Sequence, residues 1–321
     1  MKYINWQKTI ELLLASLPGT ILAYYFHDRF WLSASLIAVC VVIPVGTSHQ
    51  NAIVALFHAS CVFVLSILLY YNLAHWGLYL FILMFMGLIF AIIETDNPSF
   101  KEVSTWTFIA TIYVSIRLHG IYNFHANYLW LLYVIILLSI CLAILPFSRI
   151  PTIKIAPLIL HHSKFLLYLK YCLPLCFSVL IWKEYHPPEV EWFIWASLSV
   201  LNLNYQEAQA KLQQRLWGGG AGILLGLMII PLVPHSELIS YVLYILILLS
   251  FRLFYKYLYC YFFRCLLITL FAGNDFQTMG KIRLMSIFVG GVLGVLCSWI
   301  IIQLNQFFQI YYCKNKNNIT S

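Results

Sequence analysis

Charge is what this chain has least of. Only 9% of its 321 residues are Asp, Glu, Lys or Arg, against about 25% in a soluble domain. A water-soluble fold needs a charged surface, so that class is excluded. Acidic residues are the scarcer sign, 11 against 19 Lys and Arg, for a net charge of +8. The basic residues stand singly between apolar runs and form no stripe, which argues against a nucleic-acid partner. There is no CxxC pair. Eight of the nine cysteines, Cys40, Cys61, Cys141, Cys172, Cys176, Cys260, Cys265 and Cys297, sit inside apolar runs and read as small hydrophobes. Cys172 and Cys176 lie one helical turn apart, and His161-His162 lacks further ligands nearby, so neither pair makes a metal site; no metal and no cofactor are expected. Hydrolase, kinase and redox motifs are missing too. The GGGAG run at Gly218–Gly222 precedes no GK[ST] and lies in an apolar helix, so it is not a phosphate loop. An enzyme is not expected.

Apolar residues are what the chain has most of, at 62%. The first stretch, MKYINWQKTIELLLASLPGTILAYYF, has lysines ahead of an apolar core but no A-x-A-like cleavage site, and reads as an uncleaved first helix that Pro18 and Gly19 should bend or shorten. Further runs follow at about 31–46, 51–71, 76–93, 104–117, 127–146, 165–182, 191–203, 216–233, 238–254, 257–272 and 284–305. The expected fold is therefore all-α: a polytopic transmembrane bundle of about twelve helices in two six-helix halves, 1–150 and 151–321, with Ser148–Lys164 as the joint. Several runs are shorter than the ~20 residues of a perpendicular crossing. Short, glycine-interrupted segments at matching places in two halves often mark a transporter's substrate path. Lys and Arg collect on the side that also holds both chain ends, which predicts cytoplasmic termini. Glu11 is expected near the interface, and Glu94 and Asp96 in a solvated loop.

The chain is organised around Glu191–Val233. An apolar segment opened by Trp192 and Trp195 leads to a polar turn of about ten residues, Asn204 to Gln213. Then comes a helix on which Gly218, Gly222 and Gly226 recur every fourth residue, one face of an α-helix. Such a face lets a partner helix approach backbone to backbone, and Arg215 stands at its mouth. A weak internal repeat relates Trp31-Leu-Ser-Ala-Ser-Leu to Trp195-Ala-Ser-Leu-Ser-Val. At the same offset Asn51, Val54, His58 and Val62 replace Arg215 and the three glycines.

The run W-A-S-L-S-V, followed by Gln214-Arg215-x-x-Gly218-x-x-x-Gly222-x-x-x-Gly226, resembles the fusaric-acid-resistance-type membrane domain. A second stretch agrees: Gly273-Asn274-Asp275, then Lys281-Ile282-Arg283-Leu284, then Gly290 and Gly294. The resemblance covers about 165–305. It implies a multi-pass protein of the bacterial inner membrane that exports small organic anions, aromatic acids among them, and it suggests self-association. Larger relatives carry soluble domains after the sixth and twelfth helices, for which this chain has no room.

On that reading the substrate pathway comprises Arg215, Arg264, Asn274, Asp275, Arg283, Trp195 and Trp31. Gly218, Gly222, Gly226, Gly290 and Gly294 pack helices, and Asp275 or His58 relays protons. Each has a plainer reading. Arg215 and Arg283 could be interfacial anchors, Arg264 could pair with Asp275, Asn274 and Asp275 could cap a turn, and His58 could be a hydrogen-bonded core residue. The expected partners are the lipid bilayer, an anionic substrate and a second copy of the chain. Passive anion conduction, as in the distantly similar plant malate channels, and a non-transporting membrane scaffold are the alternatives.

Overall fold

The computed structural model describes residues 4–44, 52–96, 101–119, 128–147, 169–185, 189–234 and 236–319. Ser148–Lys164 and His161-His162 lie outside the described residues. What is described is helical. In chain order the helices are α1 (Trp6–Phe26), α2 (Leu32–Val42), α3 (Ala52–Tyr71), α4 (Trp76–Asp96), α5 (Lys101–His119), α6 (Leu129–Ile144), α7 (Cys172–Tyr185), α8 (Val190–Val200), α9 (Tyr205–Ile229), α10 (Glu237–Leu249), α11 (Tyr257–Phe271), α12 (Phe276–Met285) and α13 (Gly291–Ile319). A π-helical turn, Ser286–Gly290, joins the last two into one rod, which makes twelve rods among the described residues. No strand occurs among them; the one β-type contact is an isolated antiparallel bridge from Ile4 to Phe254. Among the described residues, four helices are long and apolar enough to cross a membrane: Trp6–Phe26, Trp76–Glu94, Tyr205–Leu232 and Gln277–Phe308.

Two compact units share these elements. One comprises Met1–Ala74, Thr105–Lys154 and Gln214–Leu284, the other His75–Ser104, Ile155–Gln213 and Met285–Ser321. In the first unit α1 packs on α2, α6 and α10, and α10 on α11. Helix α1 runs unbroken through Pro18. Gly19 is where α2 comes closest, since a Cβ there would stand 2.6 Å from both Ser35 Oγ and the Trp31 carbonyl. Near its start, Glu11 is buried and not interfacial: its Oε2 accepts from Lys8 Nζ at 2.7 Å, and the same ammonium donates to the Val42 carbonyl at the end of α2. A lysine can satisfy carbonyls that a helix end leaves open.

The second unit is built on α4 against α7 and on α8 against α7 and α13. Glu94, expected in a solvated loop, lies instead in the last turns of α4 and is 7% exposed. Its Oε2 accepts from Lys170 Nζ at 2.5 Å and from Tyr171 Oη at 2.6 Å. Such donors replace part of the hydration that a carboxylate gives up on burial.

The polar segment Asn204–Gln213 is not a turn. It forms the first turns of α9, which Asn204 caps by accepting from the backbone N–H groups of Gln206 at 3.0 Å and Glu207 at 3.4 Å. Ala208, Ala210, Lys211 and Leu212 are strong helix formers, and with a cap before them they extend the helix.

Candidate anion site

The partner of the glycine face of α9 is α11, within the first unit. A Cβ on Gly218 would meet the Leu258 carbonyl at 2.9 Å, one on Gly226 the Thr269 Cβ at 2.7 Å, and one on Gly222 would run into the Phe262 carbonyl. Any side chain larger than hydrogen would push these helices apart. Helix α12 lies alongside, where a Cβ on Gly280 would touch Ile223 at 3.4 Å. The second unit has a seam of its own. A Cβ on Gly290 would stand 2.7 Å from the Phe193 carbonyl of α8, and one on Gly294 would strike the Ser197 carbonyl.

Close approach of α9, α11 and α12 brings three arginines together. On α11, Tyr257, Tyr261, Arg264 and Cys265 follow at intervals that keep them on neighbouring parts of one face. Arg215, Arg264 and Arg283 are 2%, 4% and 6% exposed, and all three act electrostatically on the Cys265 thiol. Of the three, Arg283 acts on that thiol most strongly. Arg215 donates from Nε to Tyr257 Oη at 2.6 Å, and its Cζ lies 4.9 Å from the centre of the Tyr261 ring. The Cζ of Arg264 lies 4.2 Å over the Phe251 ring and 5.7 Å from Tyr261. Phe251 is in turn packed edge-on by Trp106 of α5, centre to centre 5.1 Å.

Arg264 is the unusual member. It makes no hydrogen bond and no ion pair among the described residues, and its Nε is buried without a partner. Aromatic rings are what hold it. A charge in the middle of a membrane helix costs at least about 2.5–3.5 kcal/mol when isolated, and a cation–π contact returns roughly 0.5–2 kcal/mol. The balance is unfavourable, and an anion arriving at Arg264 would improve it.

The remaining expected site residues are elsewhere. Asp275 is exposed, in the single turn Gly273–Asp275 that also holds Asn274, and forms no ion pair with Arg264. Trp31 is buried against Phe30, Phe26 and Tyr128. Trp195, also buried, stacks on Trp192 in the second unit. His58 lies in α3, where its Nε2 bonds Thr107 Oγ1 at 2.5 Å while Nδ1 is buried without a partner. Sequence reasoning missed Phe251, which follows the last turn of α10 outside any helix, and it missed Glu94, Lys170 and Tyr171. An aromatic in a non-helical stretch beside a helix carrying a mid-span arginine was the available signal for Phe251.

The stretch that holds the three arginines and both glycine seams is also the stretch that a known family matches: residues 175–297 fit the fusaric acid resistance protein-like family. Through this stretch the chain is similar to that family. The fusaric acid resistance protein-like region covers less than half of the chain and runs from α7 into α13. It includes Phe251 and leaves out Trp31, His58, Glu94 and Lys170. No curated protein and no solved structure matches the chain. Together with its long apolar helices, the similarity of this region to the fusaric acid resistance protein-like family fits a multi-pass membrane protein.

Proposed function

We propose that the protein moves small organic anions, aromatic acids among them, out across the bacterial inner membrane, with both termini in the cytoplasm and Arg264 as the central binding charge. The observation that carries this reading is a buried guanidinium with no described carboxylate or hydrogen-bond partner, set between aromatic rings beside two further buried arginines. A merely structural arginine in an apolar bundle would be paired. The family's name, resistance to fusaric acid, points to an organic acid as cargo. Arg215 and Arg283 add positive potential, and Tyr257, Tyr261 and Phe251 give the charge an apolar setting in which an anion's attraction is weakly screened. His58 is the better placed of the two expected proton relays, because it is buried and Asp275 is exposed.

The test is efflux of a labelled aromatic acid from proteoliposomes, with and without a pH gradient. The wild type is expected to carry flux that Arg264→Ala abolishes and Arg215→Ala reduces, and a proton-coupled mechanism would also make it respond to the gradient. No flux, or flux indifferent to both substitutions, removes the proposal.

A further inference from the structure

Arginine donates through five N–H groups fixed in one plane as a fork. In most buried arginines that fork is taken up by carboxylates and carbonyls. At Arg264 the described contacts are ring faces, Phe251 at 4.2 Å and Tyr261 at 5.7 Å, and none of the N–H groups has a described acceptor. Nearby are the thiols of Cys40, Cys260 and Cys265, which are poor acceptors. Cys260 Sγ is itself engaged with the Phe254 backbone, donating to its carbonyl at 3.1 Å. Position is therefore fixed by carbon surfaces while the whole hydrogen-bonding fork is left for a ligand.

Phe251 is itself held. Trp106 packs against its ring, and the segment that carries it is pinned two and three residues on: the Asn5 N–H donates to the Leu253 carbonyl at 3.0 Å, and Ile4 bridges Phe254. A ring so restrained restrains the guanidinium beneath it. The unpartnered atom is Nε, and a ligand that satisfies Nε and a terminal nitrogen at once needs two oxygens in the guanidinium plane at the spacing a carboxylate or nitrate provides. A spherical halide can meet one of these donors well and not both. A tetrahedral oxyanion places its remaining oxygens out of the plane, toward the rings.

We infer that Arg264 selects trigonal planar oxyanions by shape, and that Phe251 is a positioning residue that sets this selectivity by holding the guanidinium against its ring. This rests on the reading of Arg264 as the anion site, and it adds what the site prefers and which residue decides it.

The experiment is nuclear magnetic resonance of the detergent-solubilised full chain labelled at arginine nitrogens, with the Arg264 Nε–H signal assigned by its loss in Arg264→Lys. Sodium acetate and sodium nitrate are titrated against sodium chloride and sodium perchlorate at equal ionic strength. Acetate and nitrate are expected to move the signal saturably, with chloride and perchlorate at least about tenfold weaker, the scale of one charge-assisted hydrogen bond. Phe251→Tyr, which keeps the ring, should keep this ranking. Phe251→Leu, which keeps bulk without the ring, should bring the four anions to within a few-fold of each other, read only from samples that retain the wild-type melting and elution behaviour. A signal that no anion moves, or all move alike in the wild type, overturns the inference, and an unchanged ranking in Phe251→Leu overturns the role of Phe251. Because binding is read in detergent, selective binding without liposome flux would sink the transport reading alone, and flux without shape selectivity would sink this one alone.

Discussion

In the second unit, Lys170 lies within 2.5 Å of Glu94, and a tyrosine hydroxyl completes the carboxylate's shell. In the first, Arg264 is as deeply buried and has rings where Lys170 has a carboxylate. Both cations give up their water, at a higher cost for the compact ammonium than for the guanidinium. One is relieved within the fold, and the other meets only ring faces among the described residues, which the proposed function explains by an incoming anion. A membrane protein neutralises a charge it needs only for structure, so on the proposed function the difference is that between an internal tie and a docking point.

The sharpest way to break this comparison is to remove one cation at a time. Lys170→Met leaves Glu94 buried with a single donor and is expected to cost about 3–5 kcal/mol, seen as a large drop in melting temperature in detergent. Arg264→Leu takes away a charge that has no described partner, so the same measurement should show no loss and up to roughly 1–4 kcal/mol of gain, while anion flux disappears. If Arg264→Leu melts as early as Lys170→Met, the two cations are alike and the contrast fails.

The glycine seams sharpen it next. Gly222→Ala drives a Cβ into the Phe262 carbonyl, and about 1–3 kcal/mol of destabilisation is expected. Gly220→Ala, two residues away, meets nothing within 4 Å and should be neutral or up to about 1 kcal/mol stabilising, because alanine is the better helix former. Equal melting of the two would mean that α9 and α11 do not touch along that face. The smallest effect belongs to the ion pair between His27 and Glu237, whose side chains are 68% and 50% exposed. His27→Ala should leave melting unchanged within error, because water screens so open a pair.

Much of this was readable from the residues. The all-α membrane class follows from scarce charge and long apolar runs, and the four-residue glycine period gives the face of α9 that meets another helix. The period could not say which helix, because the contacts with Leu258, Phe262 and Thr269 belong to a segment whose own pattern is apolar all round. Asn204–Gln213 was misread because polar residues after an apolar run look like a turn, whereas they are a capped helix continuing past the hydrophobic stretch. Glu94 and Tyr171 are 77 positions apart, so no local pattern could join them. Arg264 stood out because a mid-span arginine is costly wherever it falls, but its aromatic cover is a tertiary fact.

The π turn at Ser286–Gly290 has its own lesson. Such a turn holds one residue more than regular winding needs, and each residue swings the chain by about 100° around the helix axis. Excising a single amino acid there would leave α13 the same length and composition, yet turn Met285 and Ser286 by about 100° relative to Gly290 and Gly294, which meet α8. Which residues share a side with the smooth stripe of the last helix is thus set by a count of one.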